Sequence, residues 1–300
     1  MNMTQNKCCR HGANLRRGRR RRRKILRSII FSCSIIAVAG FVAVGSRMIR
    51  SGDGGTNRYD VEAGNNTYDN AVIENSKISE KNKIQNNQSM LDDIMNSTQY
   101  PKQLKDLALK NEEALEFVYD YPTEHVKEHT IDLTEESSMD SVPLFVQWDK
   151  RWGYEKYSGN FFAASGCGPT TLSMVVVYLT HNRDASPLAV AKYSKEAGYS
   201  VDGSGSSWTL ISEGCRHYGV KAKTVALDES RMKAELDAGH PIVINVGPGD
   251  FTDTGHFMVI TGYDDEGFSI NDPNSIEKSG KRWLFKNISS QIRAVWSMYV

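Results

Sequence analysis

The chain has 300 residues, of which 39% are hydrophobic and 24% are charged. This composition excludes a wholly disordered protein and allows one medium-sized domain with additional segments. The formal charge of +1 conceals an asymmetry, because residues 1–27 hold 11 Lys and Arg and no acidic residue, so that residues 28–300 carry a net charge of −10. Because residues 28–300 are acidic, they lack the basic surface that nucleic-acid binding requires, and no nucleic-acid partner is expected.

The N-terminal region is typical of a membrane signal-anchor. The basic cytoplasmic segment, residues 1–27, is followed by a transmembrane segment that we assign to residues 28–46. The 18 uncharged residues Ser28–Gly45 would span about 27 Å as a helix, close to the roughly 30 Å hydrocarbon core of a bilayer. The basic flank is expected to stay in the cytoplasm, which places the remainder of the chain outside.

Two other interpretations of this region stay open. The apolar segment can be a signal peptide that is cleaved after residue 45, which would give a secreted protein. The arginines also resemble a twin-arginine export signal. Both alternatives deliver the same domain to the outside.

Two segments precede the main domain. Residues 47–99 are rich in Asn, Ser, Gly and Lys without a sustained apolar period, which predicts a flexible extracytoplasmic stalk. In residues 100–141, apolar side chains recur at helical spacing from Leu104 to Val118, and Pro122 is predicted to end this helical lead-in. The main domain is assigned to residues 142–300.

The main domain is predicted to contain helices first and strands later. Four helices are expected at 165–180, 186–198, 206–219 and 228–239. Strands are expected at 241–246, 256–263, 267–270, 281–285 and 295–300. Segregated helices followed by an antiparallel sheet indicate the α+β class.

Cys167 is the candidate nucleophile. It stands between two glycines just before a helix, where free backbone N–H groups and the helix dipole stabilise a thiolate. The glycines would also let a substrate approach the sulfur closely. Two alternatives stay open at this point: a disulfide between Cys167 and Cys215, and a Cys167 that is merely a small packed residue.

A nucleophilic cysteine needs a base, and the base needs a group that orients it. His256 begins a strand directly after a turn-rich loop, and Asp272 lies on the next strand. If the intervening turn is bulged, residue 256 faces residue 274, and Asp272 becomes its diagonal neighbour at roughly 7 Å between backbones. A capping or core role for His256, and a turn-forming role for Asp272, are the structural alternatives.

Residues of about 100–300 resemble the bacterial C39-like cysteine peptidases, because four separate motifs of that family occur here in the expected order. This family is related to the domains that trim double-glycine leaders. The motifs are VPLFVQWDKRWG at 142–153, SGCGPT at 165–170, GHFMVITGY at 255–263 and NDP at 271–273. The resemblance implies a papain-like α+β fold without a metal or organic cofactor. It also implies that Cys167, His256 and Asp272 form a catalytic triad and that Gln147 is an oxyanion-hole donor.

The sequence therefore favours a membrane-anchored extracytoplasmic cysteine peptidase that acts on peptides or proteins. Double-glycine peptidases work on the cytoplasmic side as domains of ABC transporters, so their leader substrates are not carried over. Surface peptides, proteins or cell-wall peptides are the expected substrates. A catalytically silent surface protein that binds peptides and a cell-wall peptide amidase are the alternatives.

Overall fold

The structure, a computed structural model, describes residues 66–300. The predicted cytoplasmic segment 1–27, the predicted transmembrane segment 28–46 and the first part of the predicted stalk lie outside the described residues. Among the helices between residues 66 and 300, none combines the length and the apolar character that crossing a bilayer needs.

Within residues 66–141, five α-helices precede the main domain. They are α1 (Asn66–Asn96), α2 (Lys102–Lys110), α3 (Leu115–Tyr119), α4 (Tyr121–Glu124) and α5 (Thr134–Ser137). Within the segment predicted as a flexible stalk, residues 47–99, the structure has a helix over Asn66–Asn96, which was not predicted from the sequence. The reason is a short apolar stripe near the end of α1, where Ile94 is completely buried against the lead-in helices together with Met90 and Leu91.

The lead-in is helical as predicted, but it is broken at Asn111. The backbone of Asn111 is extended, and its side-chain oxygen accepts a hydrogen bond of 3.0 Å from the N–H of Glu113. This Asn cap starts a new turn instead of continuing α2. Pro122 does not end the lead-in, because it occupies the first turn of α4, where a missing N–H is tolerated.

The helices of the main domain mostly follow the prediction. They are α6 (Phe162–Ser165), α7 (Cys167–Thr180), α8 (Pro187–Glu196), α9 (Thr209–Ser212), α10 (Glu229–Asp237), α11 (Ile276–Ser279) and α12 (Phe285–Ile288). Ser186 and Asp228 cap α8 and α10 through their side chains. The third predicted helix is divided into α9 and a 3₁₀ turn, Gly214–Tyr218.

The strands form two small hairpins and one antiparallel sheet of six strands. The hairpins are β1 (Lys156–Tyr157) with β2 (Asn160–Phe161) and β3 (Ser200–Val201) with β4 (Gly205–Ser206). The sheet has the order β5-β10-β6-β7-β8-β9, with β5 (Lys221–Thr224), β6 (Ile242–Val246), β7 (His256–Asp264), β8 (Gly267–Asn271), β9 (Arg282–Trp283) and β10 (Ile292–Tyr299). This architecture confirms the α+β class with an antiparallel sheet.

Alternating residues of the central strands supply two hydrophobic cores. On β7, Phe257 and Val259 pack in the core that contains the helix α7, whereas Met258 and Ile260 pack on the other side with Met232 of α10. Because α7 is covered on nearly all sides, its residues from Gly168 to Val177 are buried. The sheet and α7 together fix the places of the candidate site residues.

Candidate active site

Cys167 is the first residue of α7, as the sequence predicted. Gly166 precedes it as the N-cap, and Pro169 occupies the first turn. Cys167 is half-buried, and hydrogen bonding from the backbone N–H groups of Phe257 and Gly168 adds to the lowering of its pKa. The positive end of the α7 dipole therefore lies at the Cys167 thiol.

The glycines on either side of Cys167 have a packing role that the sequence did not reveal. A Cβ atom on Gly166 would lie 2.5 Å from the ring of Phe162, and one on Gly168 would lie 2.5 Å from Oγ of Ser206. Ser206 Oγ is itself 2.6 Å from the hydroxyl of Tyr157. The start of α7 is therefore seated tightly on its neighbours.

His256 and Asp272 meet as the bulged hairpin predicted. The register of β7 with β8 shifts between Ile260 and Gly262, beyond which Val259 pairs with Asn271. Continued along the strands, this register makes Asp272 the diagonal neighbour of His256. Nε2 of His256 lies 2.7 Å from Oδ1 of Asp272, and both side chains are buried.

The carboxylate of Asp272 sits in a closed turn. Oδ1 of Asp272 also accepts a hydrogen bond of 2.8 Å from the backbone N–H of Asn274. The backbone N–H of Asp272 donates a hydrogen bond to Oγ of Ser279. The backbone N–H of Gln147 donates to the carbonyl of Pro273 at 2.7 Å. Since Nε2 of His256 is occupied by Asp272, Nδ1 is the ring nitrogen left to serve the thiol.

The electrostatics of the site favour a charged sulfur and a charged ring. Burial opposes protonation of the imidazole, but the charge of Asp272 and hydrogen bonds with Asp272 and Cys167 raise the pKa of His256 to about 10. Burial also opposes ionisation of the thiol, but the hydrogen bond and charge interaction with His256 hold the pKa of Cys167 below its ordinary value. Both shifts stabilise a thiolate–imidazolium pair.

Cys215 has the opposite environment. It is completely buried in the 3₁₀ turn after α9, and burial raises the pKa of its thiol to about 11. Both Cys167 and Cys215 are free, so the alternative of a disulfide between them is wrong. Only Cys167 of this pair has the environment of a reactive thiol.

Gln147 is buried and lines the same cleft as Cys167. Its Nε2 donates a hydrogen bond of 2.7 Å to the carbonyl of Ala163, which occupies one of its two N–H groups. Its Oε1 has no hydrogen-bond partner within residues 66–300. The side-chain amide therefore retains one N–H group that is not used by Ala163.

Cys167, His256 and Gln147 line one cleft of about 620 Å³. One wall is the loop 249–255 before His256, which Gln291 holds through bonds of 2.8 Å and 2.6 Å to the backbone N–H and the carboxylate of Asp250. The opposite wall comes from α2 and Asn111, which the sequence did not connect with the site. No local motif marks that wall, because Asn111 contacts Asn274 across 163 positions of the chain.

The family model of the peptidase C39 like family matches residues 139–300. No curated protein matches the chain. The solved structures that resemble it include the peptidase domain of Streptococcus ComA, a bi-functional ABC transporter involved in a quorum sensing pathway. It is 18% identical, covers 45% of this chain and 90% of that one, and has a TM-score of 0.37.

A Bacillus anthracis protein classed as a C39-like peptidase also resembles the chain. It is 18% identical, covers 53% of this chain and 95% of its own, and has a TM-score of 0.32. The family assignment rests on the sequence match, which covers more than half of the chain and contains Cys167, His256, Asp272 and Gln147. This chain belongs to the C39-like peptidase family.

Proposed function

We propose that this protein is a cysteine peptidase that hydrolyses peptide bonds with Cys167 as nucleophile, His256 as base and Asp272 as the residue that orients His256. The observation that carries the proposal is the 2.7 Å contact between Nε2 of His256 and Asp272, beside a thiol at the start of α7 whose pKa is lowered by its hydrogen bond and charge interaction with His256. The family is one of peptidases, which supports the same activity.

The reaction begins when the thiol of Cys167 transfers its proton to Nδ1 of His256. The thiolate attacks the carbonyl carbon of the scissile peptide bond, and the carbonyl electrons move to the oxygen. Protonated His256 then gives its proton to the leaving amine as the C–N bond breaks. A water molecule, deprotonated by His256, attacks the thioester and releases the acid and the free thiol.

Two donors are proposed to stabilise the oxyanion. One is the N–H of Gln147 Nε2 that Ala163 does not use, and the other is the backbone N–H of Cys167 at the start of α7. Each such donor typically contributes roughly 3 to 4 kcal/mol of transition-state stabilisation. The role of Gln147 is part of the proposal and follows from its position in the cleft.

We also propose that residues 28–46 anchor the protein in the membrane and that the peptidase acts outside the cytoplasm on peptides, proteins or cell-wall peptides. The support is the charge asymmetry of the N-terminal region. Protease added to intact cells is expected to release fragments of residues 142–300. Complete protection of these residues, with digestion after lysis, would contradict the location.

The activity is tested with the full-length chain on peptide libraries and on purified cell-wall fragments. Cleavage is expected from the parent protein and from Cys215→Ser, and none from Cys167→Ala. Iodoacetamide at about pH 6 is expected to alkylate Cys167 much faster than Cys215, because only a thiol with a lowered pKa is ionised there.

The outcomes separate the alternatives. Cleavage that persists in Cys167→Ala would overturn the mechanism. Two equally unreactive thiols would favour the catalytically silent peptide-binding protein. Products from cell-wall fragments alone would favour the amidase.

A further inference from the structure

The lead-in segment contributes to the cleft although it precedes the family domain. Residues 139–300 match the family, whereas α2 spans Lys102–Lys110. Gln103, Leu107 and Lys110 of α2 line the cleft at spacings of four and three residues, as one face of a helix does. Whatever enters the cleft therefore meets a wall outside the family domain.

Directly after this wall, Glu113 reaches across to the turn that holds Asp272. Its carboxylate accepts hydrogen bonds from the backbone N–H of Ile276 at 2.7 Å and of Glu277 at 3.1 Å. It also accepts one from the hydroxyl of Ser275. These groups form the first turn of α11, so Glu113 caps α11 from a distant part of the chain.

The capped turn is continuous with the catalytic carboxylate. Ser275 and Asp272 form an isolated β-bridge, with a bond of 3.2 Å from the N–H of Ser275 to the carbonyl of Asp272. On the adjoining side, Asn111 Nδ2 donates to the carbonyl of Asn274 at 2.9 Å, while the N–H of Asn274 donates to Asp272 Oδ1. The lead-in thus holds the turn at two points.

We propose that Glu113 is a positioning residue that acts through the 272–277 turn on Asp272 and His256, which makes the lead-in segment part of the peptidase site. This inference rests on the proposed function. Without the Glu113 carboxylate, two backbone N–H groups and a hydroxyl lose their acceptor, and the turn is free to shift. A displaced Asp272 stabilises the protonated form of His256 less well, and the thiolate loses its partner.

The test is the pH dependence of alkylation at Cys167 in the full-length chain. Because the chain has five cysteines, iodoacetamide modification is quantified by mass spectrometry on the peptide that contains Cys167. In Glu113→Ala the midpoint of the pH profile is expected to rise by about one unit, the scale on which a neighbouring charge shifts a pKa. Glu113→Gln keeps one acceptor oxygen, so a smaller rise is expected.

Glu116→Gln is the matched control, since Glu116 is an exposed carboxylate on the neighbouring helix α3, and its profile is expected to equal that of the parent. Unfolding curves identify a variant that does not fold, in which case the Gln variant decides. The positioning role would be overturned if the alkylation midpoint of Glu113→Gln, and that of Glu113→Ala if this variant folds, equals the midpoint of the parent protein. A parent protein whose Cys167 reacts like an ordinary thiol would instead overturn the proposed function.

Discussion

His256 is the central residue of the candidate site, because it interacts with both Asp272 and Cys167. Its Nε2 lies 2.7 Å from Oδ1 of Asp272. Although burial lowers the pKa of His256, its interactions with Asp272 and Cys167 raise that pKa to about 10. A thiolate–imidazolium pair is expected at pH values between the lowered pKa of the Cys167 thiol and the raised pKa of the His256 ring. Peptidase activity should therefore rise as the pH increases through the pKa of Cys167 and fall as it increases through the pKa of His256.

Asp272→Asn is expected to narrow that pH range. The substitution keeps an oxygen for His256 and for the N–H of Asn274 but removes the negative charge that raises the pKa of His256. The alkaline limb of kcat/KM should move to lower pH by about one unit or more, and the acidic limb should move up. Asp253→Asn, an exposed cleft carboxylate, serves as the control. An alkaline limb that stays in place in Asp272→Asn would show that Asp272 does not set the charge of the ring.

Single residues differ in how far the sequence revealed them. Cys167 and His256 are marked by local patterns, a glycine-flanked helix start and a strand start after a turn-rich loop. Asp272 needed the register of a bulged hairpin, which the turn at residues 264–267 indicated. Glu113 could not be found, because it lies more than 160 positions from the backbone groups that it caps.

Among the elements, α7 is packed closely enough that its first turn has little room for larger side chains. Nearly all of its residues are buried, and its first turn lies against Ser206 of the β3–β4 hairpin. Ser206 and Ser194 both contact the hydroxyl of Tyr157, which fastens the hairpin and α8 behind the nucleophile. Close packing leaves no free volume for a larger residue at the start of the helix.

Gly168→Ala is expected to destabilise the fold by about 1 to 3 kcal/mol, the usual cost of overpacking a core. Its new Cβ would lie 2.5 Å from Ser206 Oγ and 2.7 Å from Ser206 Cβ. Gly262→Ala in β7 is the control, because no atom lies within 4 Å of its added Cβ. The comparison requires denaturant unfolding of both variants. Equal stabilities would mean that the helix start tolerates displacement.

The elements that the sequence missed have weak local signals. The strand β5 has the sequence KAKT and is mostly exposed, so it lacks the apolar alternation that predicts a strand. It forms because Trp296–Tyr299 of β10 offer it an antiparallel partner. The division of the third predicted helix is likewise a matter of packing, since Gly214 lies where a Cβ would be 3.1 Å from the ring of Tyr199.

At the scale of the whole described chain, a third hydrophobic cluster joins α1 and the lead-in to the main domain. Ile94, Leu104 and Val118 are completely buried in it, together with Phe161 and Ala163 of the main domain. Stacked rings of Phe117 and Tyr154, with centroids 4.2 Å apart, add to the same contact. Burial of these side chains stabilises the docking of the lead-in on the main domain.

Ile94→Ala is expected to lower the free energy of unfolding by about 2 to 5 kcal/mol, because it leaves a cavity between α1 and the lead-in. Ile84→Ala on the same helix is the matched control, since the side chain of Ile84 is 61% exposed and little change is expected. Thermal and denaturant unfolding of the full-length variants gives both values. Small effects of similar size in the two variants would indicate that α1 does not dock on the lead-in.

The sequence by itself determined the α+β class and the placement of Cys167 and His256 at a helix start and a strand start, whereas the predicted order of helices before strands is wrong, because β1–β5 precede α10 and α11 and α12 lie between strands of the sheet. The features that the sequence determined follow from periodicity, caps and turns, which act over a few residues. Only the tertiary structure decided that α1 packs on the lead-in, that the glycines beside Cys167 avoid Phe162 and Ser206, and that Glu113 contacts the turn that follows Asp272. Such contacts depend on the register of strands and the packing of distant side chains, which no local pattern encodes.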